Sequence, residues 1–519
     1  MKRDEMLHRI QTTTDPWDLV VIGGGATGLG VAIDGASRGY RVLLLEAGDF
    51  AGGTSSRSTK LVHGGVRYLQ QGNVSLVLEA LKERGILRRN APHLVHNLPF
   101  VVPRYDWWEG PFYGIGLKLY DALAGKHGFG RSRILTRKKT RERLPNIETE
   151  GLRGGIVYYD GQFDDARLAI NMASTAVEQG ATLINYAPVI AISHADGIVD
   201  SITVRDLEND HQYELRARAV INAAGPFADS VRRFDDSQCS PMISPSQGVH
   251  IVLDHTFLPG DSAIMVPQTD DGRVLFAIPW HGRVVVGTTD TPIDTLSPEP
   301  VPLATEVDFL LSHAARYLRK DPTPNDILSA FAGLRPLVDD GAADSTAALS
   351  RDHLLHISPT GLITITGGKW TTYRKMAEDT VDQAAELAEL EARPSVTRDL
   401  HIHGYHRNAD PFGDLAVYGS DAPAIQDLFH AHPRYAESLH PHLEVRAGEV
   451  VWAVRNEMAR TVEDFLSRRT RTLLLDARAS VEIAPRVAAL MAEELGRNAD
   501  WQTEQVSAYK KLARGYLPS

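Results

Sequence analysis

Apolar, β-branched residues gather in a short run at Trp17 to Ile22, glycines follow at once, and from Ala26 to Arg38 the apolar spacing becomes helical. A second apolar run, Arg41 to Leu45, completes the order strand, turn, helix, strand. The same alternation returns later, with a helix over Asp165 to Gln179 and strands near Thr182 to Ile184, Ile198 to Asp206 and Ala219 to Asn222. Alternating elements of this kind predict an α/β unit. Between Gln247 and Asp290 the period shortens to that of strands, as at His250 to Leu253, Val274 to Ile278 and Arg283 to Gly287, separated by Gly, Pro and Asp turns. That stretch predicts a mostly antiparallel sheet. Beyond about Arg393 the pattern is helical, best at Leu415 to His430, Arg446 to Ser467 and Ala477 to Leu495, which predicts a separate C-terminal all-α domain. No internal repeat or long low-complexity tract interrupts the chain.

Length and composition narrow this picture. At 519 residues the chain exceeds what one core usually supports, so two or three domains are expected. Hydrophobic residues make up 43% and charged residues 23%, and no apolar stretch approaches the ~20 residues of a membrane span. The polar segment Met1 to Asp15 lacks the pattern of a secretory signal, and the single Cys239 excludes an internal disulfide; both predict a cytoplasmic, reducing location. A net charge of -11 argues against general nucleic-acid binding.

The chemistry begins at VVIGGGATGLG, where Gly23, Gly25 and Gly28 stand between strand and helix and Glu46 ends the next strand. Gly23 suits the tight turn, Gly25 lets backbone approach a pyrophosphate, Gly28 allows close helix packing, and Glu46 can accept from ribose hydroxyls. Such a unit serves NAD and FAD alike. Two later elements favour FAD: the strand Ala217 to Gly225 (ARAVINAAG), and Leu362 to Met376, where a strand runs into Gly367-Gly368 and a helix. That helix N-terminus can stabilise charge developing on a reduced flavin ring. Three glycine-centred elements hundreds of residues apart call for a long cofactor. The predicted architecture is therefore a Rossmann-like FAD-binding domain (15–75, 150–240 and 345–390), a mostly antiparallel substrate or cap domain (76–149 and 241–344) and the helical domain 391–519.

The run TSSRSTKLVHGGVRYL, Thr54 to Leu69, closely resembles the FAD-dependent glycerol-3-phosphate dehydrogenases of the respiratory type. The likeness continues through DDARL at Asp164, AAGPF at Ala223, GVHIVL at Gly248, GTTD at Gly287, AGLRPL at Ala332, SRDH at Ser350 and GGKWTTYRKMAE at Gly367, covering nearly the whole chain. Phe227 stands where this family's string has Trp, and no EF-hand loop follows, so the resemblance is to the bacterial type. It implies that FAD is held by Gly23, Gly25, Ala26, Thr27, Gly28 and Glu46. Thr54, Ser55, Ser56, Ser58, Lys60, Leu61, His63, Gly64 and Gly65 join them from the following run. Ala224, Gly225, Gly368, Lys369, Trp370 and Thr371 complete the set. It implies further that Arg67, Arg335, Arg351 and Lys369, with Tyr68 beside them, line the pocket for a dianionic phosphate ester, as forked guanidinium groups suit phosphate.

Flavin-linked oxidation of a secondary alcohol also needs a proton acceptor. His250 fills that part best because imidazole titrates near neutrality, with Lys369 or Arg335 as the other catalytic candidates. His63 lies near the flavin as a turn histidine, and covalent attachment is left open. His401, His403 and His406 lack completing ligands, so no metal is expected. The resemblance implies that electrons pass to a membrane quinone. Trp107, Trp108, Phe112, Tyr113, Ile115, Leu117 and Tyr120 precede Lys126, Arg131, Arg133, Arg137, Lys138, Lys139, Arg141 and Arg143, a sequence suited to an anionic lipid surface. A peripheral position on the cytoplasmic face of the membrane follows. A glycerol-3-phosphate oxidase giving hydrogen peroxide, a related 2-hydroxy-acid or amine oxidoreductase, and a silent flavin-binding scaffold remain as alternatives. A homodimer is compatible with the sequence, which does not set the oligomeric state.

Overall fold

The computed structural model describes residues 1–65, 73–106, 109–267, 269–270, 272–338 and 353–518. Its first sheet is built around the strand Trp17–Ile22, every residue of which but Asp18 is buried. That strand pairs in parallel with Val42–Leu45 on one side and with Gln212–Asn222 on the other. Thr182–Ile184 extends the parallel set beyond Val42–Leu45, and Ile363–Gly367 extends it beyond Gln212–Asn222. Strands buried on both faces read as continuous apolar runs, which is why WDLVVI and VLLL showed no alternation. The helices Ala26–Ser37, Asp165–Glu178 and Tyr373–Leu387 pack on this sheet.

The second sheet is mostly antiparallel, as the short-period pattern predicted. Ile243–Asp254 pairs with Arg283–Gly287 and with Ile327–Val338, and the series continues through Leu275–Trp280, Ala263–Val266, Val95–Arg104 and Gly154–Phe163 to Leu61–Val62. Among these strands only Ala263–Val266 and Val95–Arg104 run parallel. The predicted domain limits cut across this sheet: Leu61–Val62 and Gly154–Phe163, grouped with the nucleotide unit, pair here instead. Their partners lie tens of residues away, and strand pairing over such distances leaves no mark in local sequence.

The C-terminal region is helical, with Ala422–Ala431, Ala447–Asn456, Ala477–Leu495 and Ala499–Arg514 as its main elements and a short hairpin, Ser438–His440 with Leu443–Arg446. The continuous helix expected over Arg446 to Ser467 is broken. Ala447–Asn456 ends at a turn where Met458 has φ 52°, and a π-helical turn, Asp464–Arg469, follows. Thr461 starts a new helical segment, its Oγ1 accepting from the Asp464 N–H at 3.2 Å while Asp464 accepts in return from the backbone N–H of Thr461 at 3.0 Å and of Arg460 at 2.7 Å. Glu457 is drawn into the break by Arg167, whose Nη2 lies 2.5 Å from Glu457 Oε1 in a buried pair. No described helix is long and apolar enough to cross a membrane.

Candidate active site

The carboxyl ends of the central parallel strands open onto a cavity of about 1120 Å³, above the range of about 300–1,000 Å³ usual for small-ligand sites. Gly23 leaves the first strand at φ 113°, and a Cβ there would sit 2.6 Å from the Ala223 carbonyl oxygen. Only glycine lets the first turn lie against the end of the strand Gln212–Asn222. Gly25 is the N-cap of the helix Ala26–Ser37, and the Ala26 N–H donates to Ser55 Oγ at 2.9 Å. The remaining N–H groups of that first turn have no intrahelical partner, the setting in which a helix N-terminus receives an anion. Gly28 faces away from the cavity, since a Cβ there would meet the Gly23 oxygen at 1.9 Å. Its contribution is the close helix packing, not contact with a ligand.

Glu46 accepts from the Gly24 N–H at 2.5 Å and the Gly48 N–H at 2.8 Å. Burial pushes its carboxyl above the usual range, while those two amides act in the opposite direction. The third element arrives through the pairing of Ile363–Gly367 with Gln212–Asn222. Gly367 and Gly368 both have positive φ, 74° and 67°, and turn the chain into Trp370–Thr372, a short 3-10 turn ahead of the helix at Tyr373. Trp370 Nε1 donates to the Ser55 carbonyl at 2.9 Å and so ties this element to the run after Glu46.

Gly23, Gly25, Ala26, Thr27, Glu46, Thr54, Ser55, Ser58, Leu61, His63, Gly65, Ala224, Gly225, Gly368, Lys369, Trp370 and Thr371 all border this one cavity, with His250 and Arg335. Ser56, Lys60 and Gly64 do not. Lys60 is fully buried beneath the site, with Nζ 2.8 Å from Asp165 Oδ2 and 2.7 Å from the Ser56 carbonyl. Asp165 also accepts from Ser58 Oγ at 2.7 Å, so the pair pins the cavity-lining loop from below. Gly64 donates its N–H to Tyr120 Oη at 2.8 Å, and a Cβ there would strike Leu81 and Tyr120. Arg67, Tyr68 and Arg351 lie outside the described residues.

His250 and Arg335 come together through sheet register. On Ile243–Asp254, His250 lies opposite Phe331, Gly248 opposite Gly333, and Ser246 opposite Arg335. Residues two apart share a face, so His250 and the Arg335 position point to the same side. Space for their side chains is left by glycines. A Cβ on Gly287 would lie 2.2 Å from His250 Cδ2, and one on Gly248 would lie 2.3 Å from Arg335 Nη2. Arg335 donates to Asp290 Oδ1 at 2.9 Å, Thr288 Oγ1 at 3.0 Å and the Thr289 carbonyl at 2.9 Å. His250 stacks on Phe331 with ring centroids 4.9 Å apart, and its Nε2 lies 2.9 Å from Thr59 Oγ1. Burial above all, with Lys60 and Arg335 adding to it, holds the imidazole pKa well below 6.5. The ring is therefore neutral at physiological pH.

Several cavity-lining groups were not singled out in the sequence. Thr288, Thr289 and Asp290 form the GTTD string, which marked the resemblance but gave no role by itself. Thr59 sits inside the serine-rich run. Arg57 reaches the cavity wall paired to Glu299, and Tyr516 near the end of the chain donates to Glu299 Oε2 at 3.1 Å. The fit to FAD rests on this structure: backbone glycines where a side chain would fill the cradle, a half-buried carboxylate just after the strand Val42–Leu45, and a paired-glycine turn across the cavity.

Residues 18–374 match the family model described as FAD dependent oxidoreductase, and residues 359–505 match the C-terminal domain of alpha-glycerophosphate oxidase. The chain is 40% identical over 548 residues to the mitochondrial glycerol-3-phosphate dehydrogenase of Macaca fascicularis, covering 98% of this chain and 75% of the relative. It is also 40% identical over 556 residues to the mitochondrial enzyme of that name from Arabidopsis thaliana, covering 98% of this chain and 87% of the relative. Among solved structures, the glycerol-3-phosphate dehydrogenase of Bacillus halodurans complexed with FAD superposes with a TM-score of 0.81 at 30% identity, covering 99% of this chain and 98% of that one. With a cavity that joins three glycine-centred elements to a neutral histidine and a braced arginine, and with these relatives, the chain belongs to the FAD-dependent glycerol-3-phosphate dehydrogenases.

Proposed function

We propose that the protein oxidises sn-glycerol 3-phosphate at C2 to dihydroxyacetone phosphate and passes the electrons to a membrane quinone while resting on an anionic lipid surface at the cytoplasmic face. The observation that carries the first part is a single cavity bordered by both the nucleotide-binding elements and the set His250, Arg335 and Lys369. Bound FAD would supply the hydride acceptor. Arg335, held in place by Asp290 and Thr288, and Lys369, on the glycine-pair turn, offer cationic groups for the phosphate or for a C2 oxygen losing its proton.

The proton has a route to His250. Thr59 lines the cavity and its Oγ1 reaches His250 Nε2, so the C2 hydroxyl proton can pass through Thr59 to the imidazole. With its pKa so depressed, His250 is a weak base in the free enzyme. A dianionic substrate offsets the positive field of Lys60 and Arg335, which raises the basicity of His250 when the substrate is in place.

The lipid reading is supported by the stretch after residue 130. Arg131, just ahead of the strand Arg133–Thr136, Arg133 on that strand, and Arg137, Lys138, Lys139 and Arg141 on the helix Arg137–Arg143 that follows are exposed, with Ile134 61% exposed among them. Leu117 and Tyr120 do not belong to this face. Both are buried, and Tyr120 Oη donates to Asp160 at 2.7 Å, because the helix Glu109–Ala124 turns that side inward and presents Leu119 to solvent. Trp107 and Trp108 lie outside the described residues, as do the side chains of Phe112, Tyr113, Ile115 and Lys126. An oxidase would share the substrate site. Hydrogen peroxide yield measured against reduction of a soluble quinone analogue, with glycerol 3-phosphate as donor, separates the two: stoichiometric peroxide with no quinone reduction overturns the quinone proposal.

A further inference from the structure

Two residues bordering the cavity, Glu463 and Arg468, come from the C-terminal helical domain, more than 400 positions after the glycine-rich turn. Arg468 lies in the π-helical turn Asp464–Arg469 and is buried. Its guanidinium is held on three sides: Nε is 2.5 Å from Asp49 Oδ2, Nη1 is 2.7 Å from Glu463 Oε1, and Nη2 is 2.9 Å from Asp464 Oδ1. The adjacent Arg469 also pairs with Asp49, its Nη2 2.9 Å from Oδ1, but does not border the cavity.

Asp49 belongs to the loop that carries Glu46, the carboxylate placed for the adenosine ribose. The other side of that loop is fixed as well. Tyr186 donates its N–H to the Gly48 carbonyl at 2.8 Å, while its hydroxyl donates to Asp464 Oδ1 at 2.5 Å. Glu46, Ala47, Gly48, Asp49, Tyr186, Pro188, Glu463 and Arg468 thus form a continuous wall at one end of the cavity. Arg469 grips Asp49 with two nitrogens from outside the cavity, while Arg468 bonds the same carboxylate with one nitrogen and also serves Glu463 and the buried Asp464. The second arginine is the one that reaches the cavity.

We infer that Arg468 is a cofactor-binding residue, by which the C-terminal helical domain closes the adenosine end of the FAD site and fixes the Glu46 loop. What it presents there is a planar, permanently charged group, suited to a purine nucleotide and hard to replace by an ammonium. The C-terminal domain therefore acts in cofactor retention as well as in packing.

The test is the affinity of the reconstituted full-length chain for FAD and for FMN, which lacks the adenosine half, followed by flavin fluorescence. R468M weakens FAD by about tenfold or more, the scale of a lost charge-assisted contact, and leaves FMN unchanged. R469M, which touches the same Asp49 from outside the cavity, lowers the unfolding temperature while the ratio of FAD to FMN affinity stays within about twofold of the parent. R468K keeps the charge and folds if R468M does not; it lowers the FAD to FMN ratio by about threefold or more. An unchanged ratio in folded R468M or R468K, or an equal loss for both flavins, overturns the inference.

Discussion

Gly287→Ala probes the active-site geometry with a single methyl group. His250 faces Gly287 across the strand pair, and a Cβ at that position would lie 2.2 Å from His250 Cδ2, 2.8 Å from Cγ and 2.9 Å from Nε2. Ordinary contact begins at 3.4 Å, so the ring must retreat by about 1.2 Å. Phe331 stacks on that ring, and the surrounding strand is buried, so the ring cannot move without disturbing its partner or its 2.9 Å contact with Thr59. Overpacking of this kind costs about 1–3 kcal/mol of stability. Displacing a reacting group by about 1 Å costs about a hundredfold in rate, or about 2.7 kcal/mol of barrier. None of the three nucleotide-binding elements is touched, so FAD content stays that of the parent. The assay is anaerobic stopped-flow reduction of the bound flavin at saturating glycerol 3-phosphate. A reduction rate within about threefold of the parent in folded, FAD-loaded G287A would refute the placement of His250 in the chemistry.

Other outcomes follow from the same contacts. Replacing the buried pair together, K60M with D165N, removes a cation that depresses His250; because His250 accepts the proton only when neutral, the acid limb of the kcat/KM profile moves to higher pH. An acid limb at the parent position excludes that role for Lys60. His403, set between Glu178 and Asp421, is raised from 6.5 to about 9, burial opposing those two carboxylates. Its stabilisation is complete below about pH 6.5 and is lost as the pH rises through 9, so H403Q flattens the fall of unfolding free energy over that window in urea titrations. Reversing Arg137, Lys138 and Lys139 to Glu weakens co-sedimentation with anionic liposomes by at least about tenfold at low salt, at about 1 kcal/mol per cation; lipid-independent behaviour contradicts the docking proposal.

Much of the fold was legible because its signals are local. The glycine turn needs Gly23 and Gly28 within a few residues of each other, and the paired glycines at 367 and 368 announce themselves in the same way. His250 was found through its string and Arg335 through another; that they share a face became visible only in the register that sets Phe331 opposite one and Ser246 opposite the other. Lys60 shows what sequence could not supply. It stands among residues that line the cavity, yet Asp165, 105 positions on, draws it underneath. Tyr120 is similar: an aromatic in a run that reads as a docking face is captured by Gly64 and Asp160. The break at Met458 and the π-turn after it depend on Arg167 and Asp49, both far away in the chain, so periodicity alone ran one helix through them.

The substrate assignment is the centre of the account, and anaerobic titration of the purified yellow protein with glycerol 3-phosphate tests it most directly. Bleaching of the flavin absorbance near one equivalent, with dihydroxyacetone phosphate as product, is the predicted result. A flavin that stays oxidised in excess glycerol 3-phosphate, in protein that dithionite reduces normally, would contradict it.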